Sequence, residues 1–470
     1  MKPPLYVDLD GTLVRIDTMQ QAWLVMARDH PIGALRVLIR LFKSRQAAKD
    51  LIARTVHLDP AHLPYREPVI EYIRQAKNEG RRVVLATGSH RNYAEAVARH
   101  LGLFDAVYAT DPQTNLIGLN KLESIRTDCQ EQAFEYLGDS GQDIIIFEAS
   151  TIAGLVGGRR FQPLKNADVH VHRLAHLHNN TWHDLFRLIR PHQWVKNLLV
   201  GLPVIASHRL QDPEALGITL LTFVVFSCVA SGNYILNDLL DAESDRKHPQ
   251  KKNRPVACGT VTVPTAVGWM VLFLLVGLIG SVLVSTELLL LMMGYLVLAN
   301  AYSFQLKRRL LLDVLALAGM YTLRPLAGGI ATGIIPSTWL LAFCMFFFAC
   351  LAFAKRYTEL RQMLEPGKNL PGRAYEQADL DVIRVVGPVN GYLAVMVVAL
   401  YISSPAVSVL YSRPQVLWLI CPVLAYWITR LWFFAHRGKL DHDPVVFALK
   451  DWKTWLAMGT CVLIGVLASV

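Results

Sequence analysis

Beyond Arg190 the chain becomes a succession of apolar runs about 17–25 residues long, the length that crosses a hydrocarbon core. Few folds accept such segments. In lipid every backbone N–H and C=O must be satisfied internally, and runs of this length meet that demand as helices. The runs fall near 196–208, 215–236, 261–284, 286–304, 310–333, 338–354, 389–411, 415–435 and 453–470, so about nine spans are expected. Before Arg190, charged and apolar residues mix as in a globular domain. The hydrophobic fraction of 53% and mean hydropathy of +0.32 therefore average two unlike halves, one soluble and one polytopic.

The net charge of +10 follows the same division. Basic residues crowd every second loop: Arg246, Lys247, Lys251, Lys252 and Arg254; then Lys307, Arg308 and Arg309; then Lys355, Arg356, Arg361 and Arg373; then Arg437, Lys439 and Lys450. The alternate loops hold little beyond Arg209 and Arg413. This asymmetry is the positive-inside pattern of a multi-pass protein of a bacterial inner (cell) membrane. It places the N-terminal domain in the cytoplasm and the C-terminus outside, and it makes the bilayer rather than nucleic acid the partner of the positive charge. The seven cysteines show neither CxxC pairs nor spacing with histidine, so neither zinc nor a disulfide framework is indicated. The stretch Leu5–Val14 is too short for a signal segment and carries two aspartates.

Within the first 190 residues, apolar runs and helical periodicity alternate. A strand is expected at 5–9, helices over 19–55 and 67–79, a strand at 81–87 and a helix at 91–101. A strand at 105–110, a helix near 121–134 and a strand at 134–139 follow. This alternation predicts a parallel α/β sheet. Residues 158–185 read as a last strand and a polar linker, whose histidines lack ligand spacing. Four polar elements stand at strand or helix ends: Asp8-Leu9-Asp10-Gly11-Thr12, Thr87-Gly88-Ser89, Lys121, and the run from Gly138 to Asp143. In an open parallel sheet such ends collect the ligand. A carboxylate at Asp8 can attack phosphorus, and Asp10 can protonate the leaving oxygen and then activate water. Thr87 and Lys121 can hold phosphate oxygens, while Asp139 and Asp143 join Asp8 and Asp10 in a Mg²⁺ site of hard oxygens. The ordered set resembles the haloacid dehalogenase superfamily over residues 1–160. The resemblance implies a Rossmann-like phosphatase domain, with residues 16–66 as its helical cap.

After the second apolar run stands Asn237-Asp238-Leu239-Leu240-Asp241-Ala242-Glu243-Ser244-Asp245-Arg246. Asp238, Asp241 and Asp245 fall at i, i+3 and i+7, on one helical face. Carboxylates so clustered beside a bilayer repel one another unless cations intervene, and Mg²⁺ bridging to a diphosphate resolves this. Lys251, Lys252 and Arg254 follow, suited to phosphate oxygens. Upstream, Arg190-Pro191-His192-Gln193-Trp194-Val195-Lys196-Asn197 opens the first run, and Asp313 and Arg324 lie inside the fifth. Ionisable residues at membrane depth are functional candidates, with mutual pairing as the alternative.

These motifs and the all-α span pattern resemble the UbiA superfamily of membrane transferases over residues 186–470, with 161–185 as linker. Most members of that family carry a second aspartate-rich motif after the sixth span. Here that place reads Ala354-Lys355-Arg356-Tyr357-Thr358-Glu359, which is basic. With YTLRPLAGG at 321–329, the departure resembles the decaprenyl-phosphate phosphoribosyltransferase branch, which joins phosphoribosyl diphosphate (PRPP) to a polyprenyl phosphate. By that resemblance Asp238, Asp241 and Asp245 hold Mg²⁺–diphosphate, with Asp238 and Asp241 catalytic and Asn237 orienting. Lys196, Arg254, Tyr302 and Lys307 bind donor phosphates, and Arg324, Lys355 and Arg356 bind the lipid phosphate or the sugar 5-phosphate. A haloacid dehalogenase-type phosphatase on the same chain would then remove that 5-phosphate. The alternative is prenyl transfer from a prenyl diphosphate to an aromatic acceptor, beside a phosphatase domain that is regulatory or unrelated.

Overall fold

A computed structural model describes residues 2–41, 45–139, 141–156, 169–175, 182–362, 373–440 and 444–469. The chain forms two compact units: one of Met1–Arg190 with Tyr234–Val271, the other of Pro191–Asn233 with Leu272–Val470.

The first unit begins with β1 (Leu5–Val7), followed by α1 (Thr18–Asp29), α2 (Pro31–Leu41) and α3 (Arg45–Thr55). Next come α4 (Glu67–Asn78), β2 (Val83–His90), α5 (Arg91–Leu101), β3 (Ala106–Thr110), α6 (Leu119–Asp128) and β4 (Glu135–Gly138). Then follow α7 (Ile144–Ala149), β5 (Ile152–Val156), β6 (His170–Ala175) and α8 (Trp182–Ile189). The strands form one parallel sheet in the order β3-β2-β1-β4-β5-β6. The order reverses between β1 and β4, so a crevice opens beyond their carboxyl ends. Strand alternation fills both faces. Leu5, Val7, Val83 and Leu85 enter one core, and Tyr6, Val84, Ala86 and Tyr136 enter the other. Helices α1–α3 carry their own small core around Ala22, Met26, Val37, Ala48 and Ile52, as an insertion that must fold over the sheet requires.

Three sequence expectations shift here. The helix near 121–134 begins earlier and stops at Asp128, because Gln130 and Glu131 take positive φ and turn the chain into β4. A strand that the motif reading passed over, β5, pairs in parallel between β4 and β6. The last strand expected within 158–185 is β6, and it shortens the linker expected at 161–185. Residues 157–168 and 176–181 of that stretch, with several of its histidines, lie outside the described residues, as does Ser140.

The second unit opens with an eleven-residue 3₁₀ helix, Pro191–Gly201, and a five-residue α9 (Leu202–Ala206). The long α10 (Pro213–Arg246) belongs by its first part to the second unit and by its aspartate-rich end to the first. Then come α11 (Val263–Val284), α12 (Thr286–Phe304), α13 (Leu312–Thr332), α14 (Thr338–Arg361), α15 (Leu380–Ile402), α16 (Pro405–Leu410), α17 (Ile420–His436), α18 (Pro444–Lys450) and α19 (Trp452–Ser469). Among the described residues eight helices are long and apolar enough to cross a membrane, not nine. The run expected at 196–208 is the exception, being wound mostly as 3₁₀. The principal core of this unit lies among α13, α14, α15 and α17, around Phe348, Phe353, Tyr357, Trp427 and Trp432.

Candidate active sites

Asp8 stands directly after β1 and Asp139 directly after β4, on either side of the switch point. Thr87 lies in β2, Lys121 in the first turn of α6, and Asp143 ends a 3₁₀ turn after Asp139. All line one cavity of about 620 Å³, together with Asp10. Gly11 lets the loop close: its φ is +75°, and a Cβ there would lie 2.1 Å from Asp139 Oδ2. No other residue fits that place, which explains the glycine in the motif.

Lys121 Nζ lies 3.3 Å from Asp8 Oδ1 and 3.1 Å from Asp143 Oδ1, and it donates to Tyr136 Oη at 2.8 Å. Carboxylate oxygens of Asp8, Asp139 and Asp143 all lie within 4.8 Å of one another, and no other set among the described residues gathers three such ligands. Asp8 Oδ1 is buried and accepts no hydrogen bond. A hard divalent cation fits this arrangement, and Mg²⁺ would be held by these three side chains. Asp10, expected as a fourth ligand, turns its side chain away. Its Oδ2 accepts from Ser89 Oγ at 2.6 Å and its Oδ1 from the Thr18 amide at 2.9 Å. Burial, then the nearby Asp17 carboxylate, pushes the Asp10 carboxyl up to about 8. Burial raises Asp8 less, to about 6, because Lys121 opposes it. The two carboxyls of the motif are thus driven apart in proton affinity, one toward nucleophile and one toward acid.

Sequence reasoning missed Ser89 and Thr18, which orient Asp10, although Ser89 stands two residues after Thr87. It also missed Arg66. That side chain is buried, donates from Nε to the Gly11 carbonyl at 3.0 Å, and lines the cavity with Arg15 and Lys49.

On α10, Asp238 and Asp245 are buried, while Asn237 and Asp241 are half-buried. Each carboxylate faces a guanidinium. Arg190 donates to Asp238 Oδ1; Arg254 Nη1 lies 3.1 Å from Asp238 Oδ1 and 2.6 Å from Asp245 Oδ2; Arg28 Nη1 lies 3.7 Å from Asp241 Oδ1. Three carboxylates against three guanidiniums call for no bare cation. The set fits a metal together with an anion that would occupy the arginines, as a metal diphosphate does. Arg190 was visible as the start of its motif, but its partnership with Asp238 joins positions far apart in sequence.

In the second unit, Arg324 and Asp313 do not pair with each other. Arg324 is buried over the rings of Phe226, Tyr295 and Tyr321, and its Nε donates to Asn197 Oδ1 at 2.9 Å. Asn197 in turn donates to Ser227 Oγ at 3.0 Å, and Lys196 Nζ sits 5.7 Å above the Tyr321 ring. Trp194 donates from Nε1 to Ser231 Oγ at 2.9 Å. Asp313 Oδ1 accepts from Tyr375 Oη at 2.6 Å, and its Oδ2 lies 3.4 Å from Arg356 Nε. Arg356 is fully buried and also donates to Glu359, yet its Nη2 has no hydrogen-bond partner. Tyr302 Oη accepts from Arg373 at 2.9 Å. Lys307 and Lys355 are half-buried, in the turn after α12 and beside Arg356 on α14.

Residues 198–457 match the UbiA prenyltransferase family, and residues 33–144 match the haloacid dehalogenase-like hydrolases. The uncharacterized protein y4nM of Sinorhizobium fredii is 34% identical over 458 residues, 97% of this chain and 89% of that protein. The nodulation protein NoeC of Azorhizobium caulinodans is 35% identical over 264 residues, 56% of this chain and 85% of NoeC. A decaprenyl-phosphate phosphoribosyltransferase of Mycobacterium tuberculosis is 38% identical over 178 residues, 37% of this chain and 59% of that enzyme.

Proposed function

Because this chain belongs to the UbiA prenyltransferase family and carries a haloacid dehalogenase-like domain ahead of its membrane helices, we propose two coupled activities for it. The membrane part transfers phosphoribose from PRPP to a polyprenyl phosphate, and the N-terminal domain removes the 5-phosphate from the product. The observation that carries the donor assignment is Arg356. Where a second acidic motif would hold a second metal, this chain buries a guanidinium with a spare donor, which suits an anion. The similarity to the mycobacterial enzyme supports the same reading.

In the transfer, an anionic oxygen of the lipid phosphate forms a bond to the anomeric carbon as the bond to diphosphate breaks. The diphosphate leaves with the electron pair. Arg190 and Arg254 turn from their carboxylates to that group and offset its charge, and Asp238, Asp241 and Asp245 would hold a divalent cation beside it. Mg²⁺ bound there supplies Lewis acidity toward the leaving diphosphate. No general base is needed, since the attacking oxygen is already ionised. In the phosphatase, an Asp8 oxygen attacks phosphorus, and the departing sugar oxygen takes the proton held by Asp10. Asp10 then accepts a proton from water as the water oxygen attacks the aspartyl phosphate, freeing phosphate and Asp8. Lys121 and Thr87 steady the phosphoryl oxygens.

One contact supports the expected orientation. Arg190 meets Asp238, and about 38 Å of helical rise separates Asp238 from Pro213 at the other end of α10. The chain between Arg190 and Pro213 must therefore cover a membrane's width. Eleven residues of 3₁₀ helix and five of α-helix extend about 30 Å. We assign this segment as the first crossing, with Met1–Arg190 cytoplasmic and the C-terminus outside. A phosphatase tethered at the face where PRPP is used meets the product at a raised effective concentration.

The test is label transfer with purified full-length protein, Mg²⁺, polyprenyl phosphate and ribose-labelled PRPP, with lipids resolved by mass spectrometry. The intact protein is expected to yield the dephosphorylated ribose lipid, Asp8→Asn to accumulate lipid-linked phosphoribose, and Asp241→Asn to yield neither. Absence of ribose in lipid from any folded sample sinks the phosphoribosyl reading and favours prenyl transfer to an aromatic acceptor.

A further inference from the structure

The cavity above Asp8 is not closed by the sheet and α1–α3 alone. Part of its lining is Val256 and residues 261–265, chain that follows the aspartate-rich end of α10 and runs into α11. These residues belong to the same compact unit as the sheet.

Three contacts fix them there. Arg246, buried at the last position of α10, donates from Nε to the Ala257 carbonyl at 2.8 Å and from Nη2 to Gln21 Oε1 on α1 at 2.7 Å. One guanidinium thus ties the cap to the segment. Gly259 lies against the loop that follows the motif of Asp8. Its φ is +73°, and a Cβ there would stand 2.7 Å from Arg15 Cβ and 3.1 Å from Arg15 O. Arg28 of α1 reaches Asp241 on α10 at 3.7 Å.

The lining is chemically divided. The chain outside the α10–α11 segment contributes the carboxylates, Lys121, Arg15, Lys49 and Arg66, with Ile16, Met19, Ile117 and Val156 as its apolar share. The contribution from the α10–α11 segment is Val256, Val261, Val263 and Pro264, together with two threonines. Anchoring a phosphoryl group needs the first set and has no use for the second. An apolar wall stabilises a ligand only through apolar surface the ligand brings.

We propose that residues 256–265 form the specificity wall of the phosphatase cavity, held in place by Arg246, and that this wall selects phosphomonoesters carrying an apolar chain beyond their polar part. The proposal rests on reading the Asp8 site as a phosphatase and deepens it. Specificity is then set by chain from the transferase side, so the haloacid dehalogenase-like domain is a selective enzyme only when joined to it.

The experiment compares ribose 5-phosphate with 1-O-butyl-ribofuranose 5-phosphate as substrates of the full-length protein in nanodiscs with Mg²⁺. The wild type is expected to favour the butyl compound at least tenfold in kcat/KM. Val263→Asn, which makes the wall polar, and Gly259→Val, which drives the segment off Arg15, are expected to bring the preference below threefold. Val261→Thr keeps side-chain shape and serves where the others fold poorly; the same loss is expected. Equal use of the two compounds by the wild type, or a tenfold preference that survives all three substitutions, overturns the proposal. If the wild type hydrolyses neither these nor para-nitrophenyl phosphate, the catalytic reading of Asp8 is what fails. Isothermal titration of the same two compounds then decides the wall: a tenfold ratio of Kd supports it and equal affinities overturn it.

Discussion

Replacing Lys121 by Met removes a cation that touches both Asp8 and Asp143. At 3.3 and 3.1 Å the two attractions are each worth about 5 kcal/mol in an effective dielectric near 20. Part of this offsets the cost of burying the lysine, so the net loss on breaking the set is about 3–5 kcal/mol. A second limit comes from the proton. A carboxyl of ordinary value 3.8 can escape an unpaired burial by protonating, which at pH 7 costs about 4 kcal/mol. Burial already raises Asp8 to about 6, and losing Lys121 raises it further. The folded variant therefore binds more protons than its unfolded chain, so its stability falls as pH rises above 3.8 and recovers as pH falls. In EDTA at pH 7 the expected loss is about 3–4 kcal/mol, or about 6–16 °C in Tm for a unit of this size. It shrinks to about 2 kcal/mol at pH 5. Saturating Mg²⁺, which neutralises the same carboxylates, should restore much of the Tm and none of the phosphatase turnover. The assay is thermal unfolding followed by near-ultraviolet circular dichroism, at both pH values and with and without metal. A loss independent of both pH and Mg²⁺ refutes the charge argument and leaves only packing.

Three further outcomes follow from single contacts. Gly11→Ala puts a methyl 2.1 Å from Asp139 Oδ2, so phosphate release from para-nitrophenyl phosphate should fall at least a hundredfold while lipid-linked phosphoribose still forms. Arg254→Gln leaves Asp245 without its guanidinium and Asp238 with Arg190 alone. Discounted for the partial exposure of Arg254, the cost is about 1–3 kcal/mol, read by denaturant unfolding in detergent, with at least a tenfold rise in KM for PRPP. In intact cells a membrane-impermeant maleimide should label Ser469→Cys directly but Cys258 only after permeabilisation; the reverse order refutes the assigned orientation.

The soluble part was legible because its chemistry sits at places that periodicity marks. Asp8, Lys121 and Asp139 end or begin elements that alternate strand and helix, and the sheet brings them together as expected. What escaped was set by tertiary contact. β5 carries no motif and is recognisable only by its pairing, and the hydrogen bonds that Ser89 and the Thr18 amide give Asp10 join positions far apart in sequence. In the membrane part, run length found the eight long helices and overcounted by one at 196–208. It could not show the 3₁₀ winding, since hydropathy measures transfer from water and not hydrogen-bond register. Arg356 illustrates the same limit. Its basic setting was plain in sequence, but that one nitrogen stays unpaired inside an Asp313–Glu359 pocket is a matter of packing.

The aspartate-rich motif shows how composition and geometry divide the inference. Three carboxylates on one face read as a metal site while only their own helix is considered. Arg28, Arg190 and Arg254 arrive from three other segments and balance the charge, so the carboxylates of the motif are already paired. A bare cation entering it would face three guanidiniums, whereas a metal carrying a diphosphate gives those guanidiniums a better partner than the carboxylates they leave. The arrangement therefore favours the metal–donor complex over the metal alone. One of the three arginines, Arg28, belongs to the cap helix α1, whose Gln21 is held by Arg246 at the end of the same motif. Arg28 thus links the motif to the same helix that supplies Met19 and Gln20 to the cavity lining.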